Sequence, residues 1–123
     1  MSFKTLLAYQ KAFELSMEIF ELSKCFPKEE TYSLTDQIRR SSRAICTNIA
    51  EAYRKREYQK HFISKLTDAD SENSETQVWI DFSYSCEYIN LKQQQNLATK
   101  SIEVGKLINF MIANTEKFGV KKL

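Results

Sequence analysis

Ala8, Ala12, Leu15, Ile19, Leu22 and Phe26 fall at alternating steps of four and three. That spacing holds them on one face of a helix and predicts the seam of a helix packed in a bundle. The same rhythm returns in Phe62, Leu66, Ala69, Asn73, Thr76, Ile80 and Ser83, and again in Leu97, Val104, Ile108 and Met111. Between them, Ile38, Ile45, Ile49 and Ala52 define a core stripe. Phe13, Met17 and Phe20 widen the first face, Ile63, Gln77, Trp79 and Tyr84 flank the third, and Ile102 and Ile112 lie near the fourth. With two Gly and one Pro in 123 residues, the chain lacks the turn residues of a many-turned β protein or a flexible linker. Its length suits one domain with one core.

The breaks follow from local chemistry. Pro27 stops the first helix, and Lys28 to Ser33 reads as a loop. Ser33 with Asp36 three residues on can cap the second helix as a capping box. No Gly or Pro follows that helix, so a single helix running on into the third segment is an alternative. At about 100° per residue, however, Phe62 lies roughly 140° from the Ile49 direction, and a turn within Arg54 to Tyr58 restores both halves to one core. A further break is expected near Tyr88 to Lys92, and Gly119 lies past the last helix, before a basic tail in Lys121 and Lys122. The expectation is all-α: an antiparallel up-down four-helix bundle, a single domain over 1–123, with helices over about 5–25, 34–54, 58–88 and 92–116.

Net charge is only +2, but it is unevenly spread. From Arg39 to Lys65 come Arg39, Arg40, Arg43, Arg54, Lys55, Arg56, Lys60 and Lys65 against Glu51 and Glu57; from Leu66 to Asn90 come Asp68, Asp70, Glu72, Glu75, Asp81 and Glu87 with no Lys or Arg. Such blocks build one basic and one acidic surface, or neutralise each other on neighbouring helices. Cys25, Cys46 and Cys86 form no CxxC pair and support neither a disulfide framework nor a zinc site, so they read as small packing residues. The first residues have no signal-type apolar region and no apolar run approaches a membrane span, so no membrane association and a cytoplasmic location are expected.

The second helix carries three kinds of face. Arg39, Arg43 and Arg54 project within about 60° of one another, away from the isoleucine side, with Arg40 and Thr47 at the border. Guanidinium groups so placed can grip successive phosphates, Arg56 and Lys60 extend the track, and Tyr53 and Tyr58 offer rings for stacking. The plainer reading is a solvated face, or arginines paired with the acidic third helix. Ser41, Ala44 and Asn48 form a third side that permits close approach of another helix; a buried Asn48 needs partners, which Asn73, Thr76 or Gln77 can supply. His61 is the only histidine, and no nucleophile elbow, glycine-rich phosphate loop or Glu-x-x-His pair accompanies it. No catalytic residue, metal or cofactor is expected.

The run FPKEETYSLTDQIRRSSRAICTNIAEA, the Tyr9 to Ala12 start, Gln37 to Arg40, Asn48 to Glu51 and Glu75 to Gln77, in this order, resemble the 23S rRNA intervening-sequence proteins, a bacterial four-helix bundle family. The resemblance covers essentially the whole chain. It implies a bundle that assembles into a ring, commonly a homopentamer, without known catalysis. A fold relative, the accessory protein of diversity-generating retroelements, binds a reverse transcriptase and nucleic acid through a basic surface. Ala52 stands where Gly is common in the family, and Ala69, Asp70 and Asn73 replace its common Gly, Ser and Glu. The expected function is non-catalytic binding of RNA or DNA through Arg39, Arg40, Arg43, Arg54, Lys55, Arg56 and Lys60, with Asn48, Asn73, Thr76 and Gln77 as a structural polar layer and a protein partner also in view. The alternative is a protein-interaction scaffold whose basic face pairs with an acidic face of a neighbouring subunit or partner.

Overall fold

The computed structural model describes residues 2–121. Four α-helices carry the chain: α1 (Leu7–Ser23), α2 (Leu34–Arg54), α3 (Gln59–Ser85) and α4 (Leu91–Ala113), with short 3-10 turns at Phe3–Thr5, Lys28–Glu30 and Thr115–Phe118. No strand occurs among the described residues. Each helix packs on the next, and α4 closes on α1. Cross-helix pairs set the directions. Ser23 and Ser16 of α1 meet Arg39 and Ser42 of α2, and Ser41 and Glu51 of α2 meet Thr76 and Lys65 of α3. Asn73 and Asp81 of α3 meet Ser101 and Gln94 of α4, so consecutive helices run antiparallel. No helix is long and apolar enough to cross a membrane.

The expected core is largely the observed one. Ala8, Ala12, Leu15, Ile19, Ile38, Ile45, Ile49, Phe62, Leu66, Ala69, Ile80, Leu97, Val104, Ile108 and Met111 are all buried in one cluster. Phe13, Met17 and Ile102 are corrections: they lie on the outer faces, 51%, 44% and 52% exposed. Phe13 and Met17 step by four from Tyr9, a row that drifts off the seam set by Ala12, Leu15 and Ile19.

The helix ends differ from expectation in instructive ways. Ser33 precedes α2 but makes no side-chain cap, and Asp36 turns to Arg40 instead. The carboxylate of Glu30 takes the capping role, accepting from the Leu34 amide (3.3 Å) and, through its other oxygen, from the Tyr88 hydroxyl (2.8 Å). A full capping box does form at α4, where Asn90 and Gln93 satisfy each other's backbone amides. The turn after α2 occupies the expected stretch. α3 stops at Ser85 rather than near 88, because Glu87 adopts a positive φ of 65° and reverses the chain.

Candidate nucleic-acid interface

The helical projection groups Arg39, Arg43 and Arg54, but packing separates them. Arg39 is half-buried at the α1–α2 seam, where its Nε donates to Ser23 Oγ (2.8 Å) and its guanidinium lies 4.8 Å from the Phe20 ring centre. Arg43 and Lys24 approach the same ring at 5.9 and 4.9 Å. Arg40 leans to the other flank of α2, where Gln37, Ser41, Ala44, Glu72 and Glu75 line a cleft against α3. Its only carboxylate within ion-pair reach among the described residues is Asp36, at 3.9 Å. Desolvation and the neighbouring Glu75 raise the Glu72 carboxyl above its ordinary value. About 16 Å of helix axis then separates Arg43 from Arg54.

The second basic group sits at the end of the bundle where α1 and α3 begin and α2 and α4 finish. Arg54 and Lys55 close α2 and are exposed, and Lys60 is exposed in the first turn of α3. None of the three forms an ion pair among the described residues. Arg56 behaves differently. It stacks 3.7 Å from the centre of the buried Tyr53 ring, its Nε donates to the Tyr53 carbonyl (2.8 Å), and its Nη1 donates to the Phe118 carbonyl (3.5 Å). Arg56 therefore fastens the C-terminal turn to the α2–α3 turn, helped by the Gln59 amide donating to Thr115 Oγ1 (3.3 Å). This brings Lys117 and Lys121 to the end that already holds Lys4, so seven cations including Arg56 meet Glu57, Glu116 and Glu51, the last already paired with Lys65. Lys122 lies outside the described residues.

Of the two tyrosines read as stacking rings, Tyr53 is 5% exposed beneath Arg56 and is not available. Tyr58 is 60% exposed and meets the exposed His61 edge to face at 5.7 Å. The opposite end of the bundle carries Glu21, Glu29, Glu30, Asp36, Asp81 and Glu87 against Lys24, Lys28 and Lys92 and against Arg39 and Arg40, which bond Ser23 and Asp36 there. The hydrogen bond from Tyr88, then that from the Leu34 amide, holds Glu30 below its ordinary value, and the same bond pushes the Tyr88 phenol up to about 12.

The polar layer is real but differently composed. Asn48 is half-buried and donates to the Ala44 carbonyl of its own helix (2.9 Å), so it does not reach α3. Ser41 reaches instead, sharing a hydrogen bond with Thr76 Oγ1 (2.8 Å). Asn73 and Gln77 converge on Ser101: Asn73 Nδ2 donates to its carbonyl (2.9 Å), its hydroxyl donates to Asn73 Oδ1 (2.8 Å), and Gln77 Nε2 donates to that hydroxyl (2.9 Å). Ser16 and Ser42 join α1 to α2 at 3.2 Å. Ser101 occupies the step between Leu97 and Val104, so the rhythm of α4 already marks it as a core position. The α1–α4 seam is held nearer the surface by Lys100 with Glu14 and Glu18 and by Lys11 with Glu103.

No group of three or more His, Cys, Asp or Glu among the described residues is disposed to hold a metal ion. Burial pushes the Cys46 thiol up to about 11, which makes it a poor nucleophile, and Cys25 and Cys86 are exposed and free.

Known proteins were compared with this chain by sequence and by fold. The family model described as 23S rRNA-intervening sequence protein matches residues 4–110. No curated protein matches. A crystal structure at 1.70 Å of a protein of unknown function from the S23 ribosomal protein family of Bacteroides thetaiotaomicron VPI-5482 superposes with a TM-score of 0.78 at 30% identity, covering 87% of this chain and 96% of that one.

Proposed function

Because the chain belongs to the 23S rRNA-intervening sequence protein family, and because cations without ion pairs among the described residues outnumber carboxylates at one end, we propose that it is a non-catalytic bundle that binds RNA or DNA there. The observation that carries this reading is the cluster of Arg54, Lys55 and Lys60, without carboxylate partners among the described residues, around the exposed Tyr58. Lysine and arginine freed from internal pairs are the groups that displace counterions from a polyanion. Arg39 and Arg56 contribute by shaping the surface, since their guanidinium groups are committed to Ser23 and Phe20, and to Tyr53 and Phe118. Arg43 forms a second, smaller basic point. Arg40 faces the acidic cleft of α3 and is the weakest candidate.

Copies of the chain assemble in this proposal, and a ring such as a pentamer would repeat the patch so that weak phosphate contacts add by avidity. Exposed Phe13, Met17, Val78, Phe82 and Ile102 support such assembly, because they leave apolar surface uncovered on three of the four helices. The scaffold reading also has an observation in its favour: the cleft holding Glu72 and Glu75 can receive a basic face of a neighbour.

The discriminating measurement is fluorescence anisotropy of a labelled RNA across a salt series. Binding should weaken linearly in the logarithm of salt, and the Arg54→Gln, Lys55→Gln, Lys60→Gln variant should lower that slope by about 0.7 for each phosphate no longer neutralised. A slope unchanged in the triple variant, or no binding at low salt, sinks the proposal. Under the scaffold reading the same variant would instead release smaller species in light scattering.

A further inference from the structure

Phosphate contacts account for the lysines and arginines at the basic end, but they give no reason for an open aromatic ring among them. Tyr58 keeps 60% of its surface exposed and meets His61 edge to face, with Lys55 and Lys60 within three residues. Tyr32 is more open still, at 94%, but it follows Glu29 and Glu30 at the opposite end, where cations do not outnumber carboxylates. Exposure alone therefore does not single out Tyr58; the coincidence of an open ring with a local excess of cations does, since Arg54, Lys55, Arg56 and Lys60 surround Glu57 in sequence there while Lys28 stands alone against Glu29 and Glu30 beside Tyr32. A duplex keeps its base faces stacked and shows a protein only phosphates and groove edges. An unpaired base has a free face, and stacking on a ring flanked by cations suits it whatever its identity.

We propose that the basic end prefers single-stranded nucleic acid to duplex, with one unstacked base lying on Tyr58 beside His61 and the adjoining phosphates on Lys55 and Lys60. This rests on the proposed nucleic-acid binding and narrows it to the state of the strand. The test is anisotropy with fluorescein-labelled oligouridylate, oligothymidylate and a duplex RNA of equal length at one low salt concentration, using the wild type, Tyr58→Ala, Tyr58→Trp and Tyr32→Ala. Tyr58→Ala should weaken binding of the single strands by about tenfold, the loss of one stacked base. It should leave duplex binding unchanged, and Tyr58→Trp and Tyr32→Ala should bind as the wild type does. Tyr58 is outside the core, so all variants should keep the wild-type helical circular dichroism. Single-strand binding indifferent to Tyr58→Ala, or duplex bound as tightly as single strand, overturns the proposal; if salt-dependent binding persists in that case, the wider reading survives. Binding of neither form by the wild type removes both.

Discussion

Asn73 and Asn48 present the same amide from neighbouring helices, and their surroundings decide what each is worth. Asn73 is 2% exposed and bonded through both of its polar atoms to Ser101, so truncating it leaves the buried Ser101 O–H, which still accepts from Gln77, without an acceptor for its own proton. Asn73→Ala should cost about 1–3 kcal/mol, the usual penalty for buried groups left without partners. Asn48 donates only to its own helix and keeps contact with solvent. Asn48→Ala should fall within about 0.5 kcal/mol of the wild type, the range of surface changes away from such networks. Urea unfolding of the two variants checks the pair, and equal losses would show that the layer does not depend on Asn73. The sequence pointed to Asn73 and Thr76 because they interrupt an apolar rhythm at core positions, and to Gln77 because it flanks them. Its error over Asn48 has a physical origin: a side chain of that length on a helix can bond the carbonyl one turn back, and spacing does not reveal which option it takes.

At the level of the element, the Glu30 carboxylate joins the start of α2 to the α3–α4 turn through Tyr88, whose ring also lies against Phe26 at 5.3 Å. The folded protein lowers the pKa of Glu30 below its ordinary 4.5, so this group stabilises the fold above that value and the contribution fades as pH falls through the lower folded one. Thermal unfolding followed from neutral pH into the acid range should therefore show a steeper loss for the wild type than for Glu30→Gln, which cannot titrate there. Parallel curves for the two proteins would show that Glu30 does not contribute to acid sensitivity.

The helices themselves were well marked. All seven α3 positions from Phe62 to Ser83 that follow the rhythm are buried, and the turn after α2 lies where the apolar face slips. The caps were less visible, because Glu30 reaches Leu34 from a separate 3-10 turn, a contact set by the path of the loop. The candidate interface was half legible for a related reason. Arg54, Lys55 and Lys60 follow from the charge run and Tyr58 from its place within it, whereas the burial of Tyr53 under Arg56 and the tie of Arg56 to the distant Phe118 carbonyl are set by packing.

For the whole molecule, exposed apolar side chains bear on assembly. Phe13 and Met17 stand one turn apart on α1, with Val78 and Phe82 similarly placed on α3. Light scattering should give a mass above one chain, and Phe13→Ser with Met17→Ser should reduce it, since both lie outside the core and their replacement leaves the fold intact. A monomeric wild type would remove avidity from the proposed function and leave a single basic end to bind on its own.

The basic end, set against an opposite end where six carboxylates face five cations, makes each chain an electric dipole that its net charge of +2 conceals. In the field of a polyanion such a body experiences a torque before it makes contact, and it turns Lys55, Lys60 and Tyr58 forward while Glu29 and Glu87 trail. Orientation during approach raises the fraction of productive encounters, and added salt removes that advantage once the screening length falls below the size of the bundle.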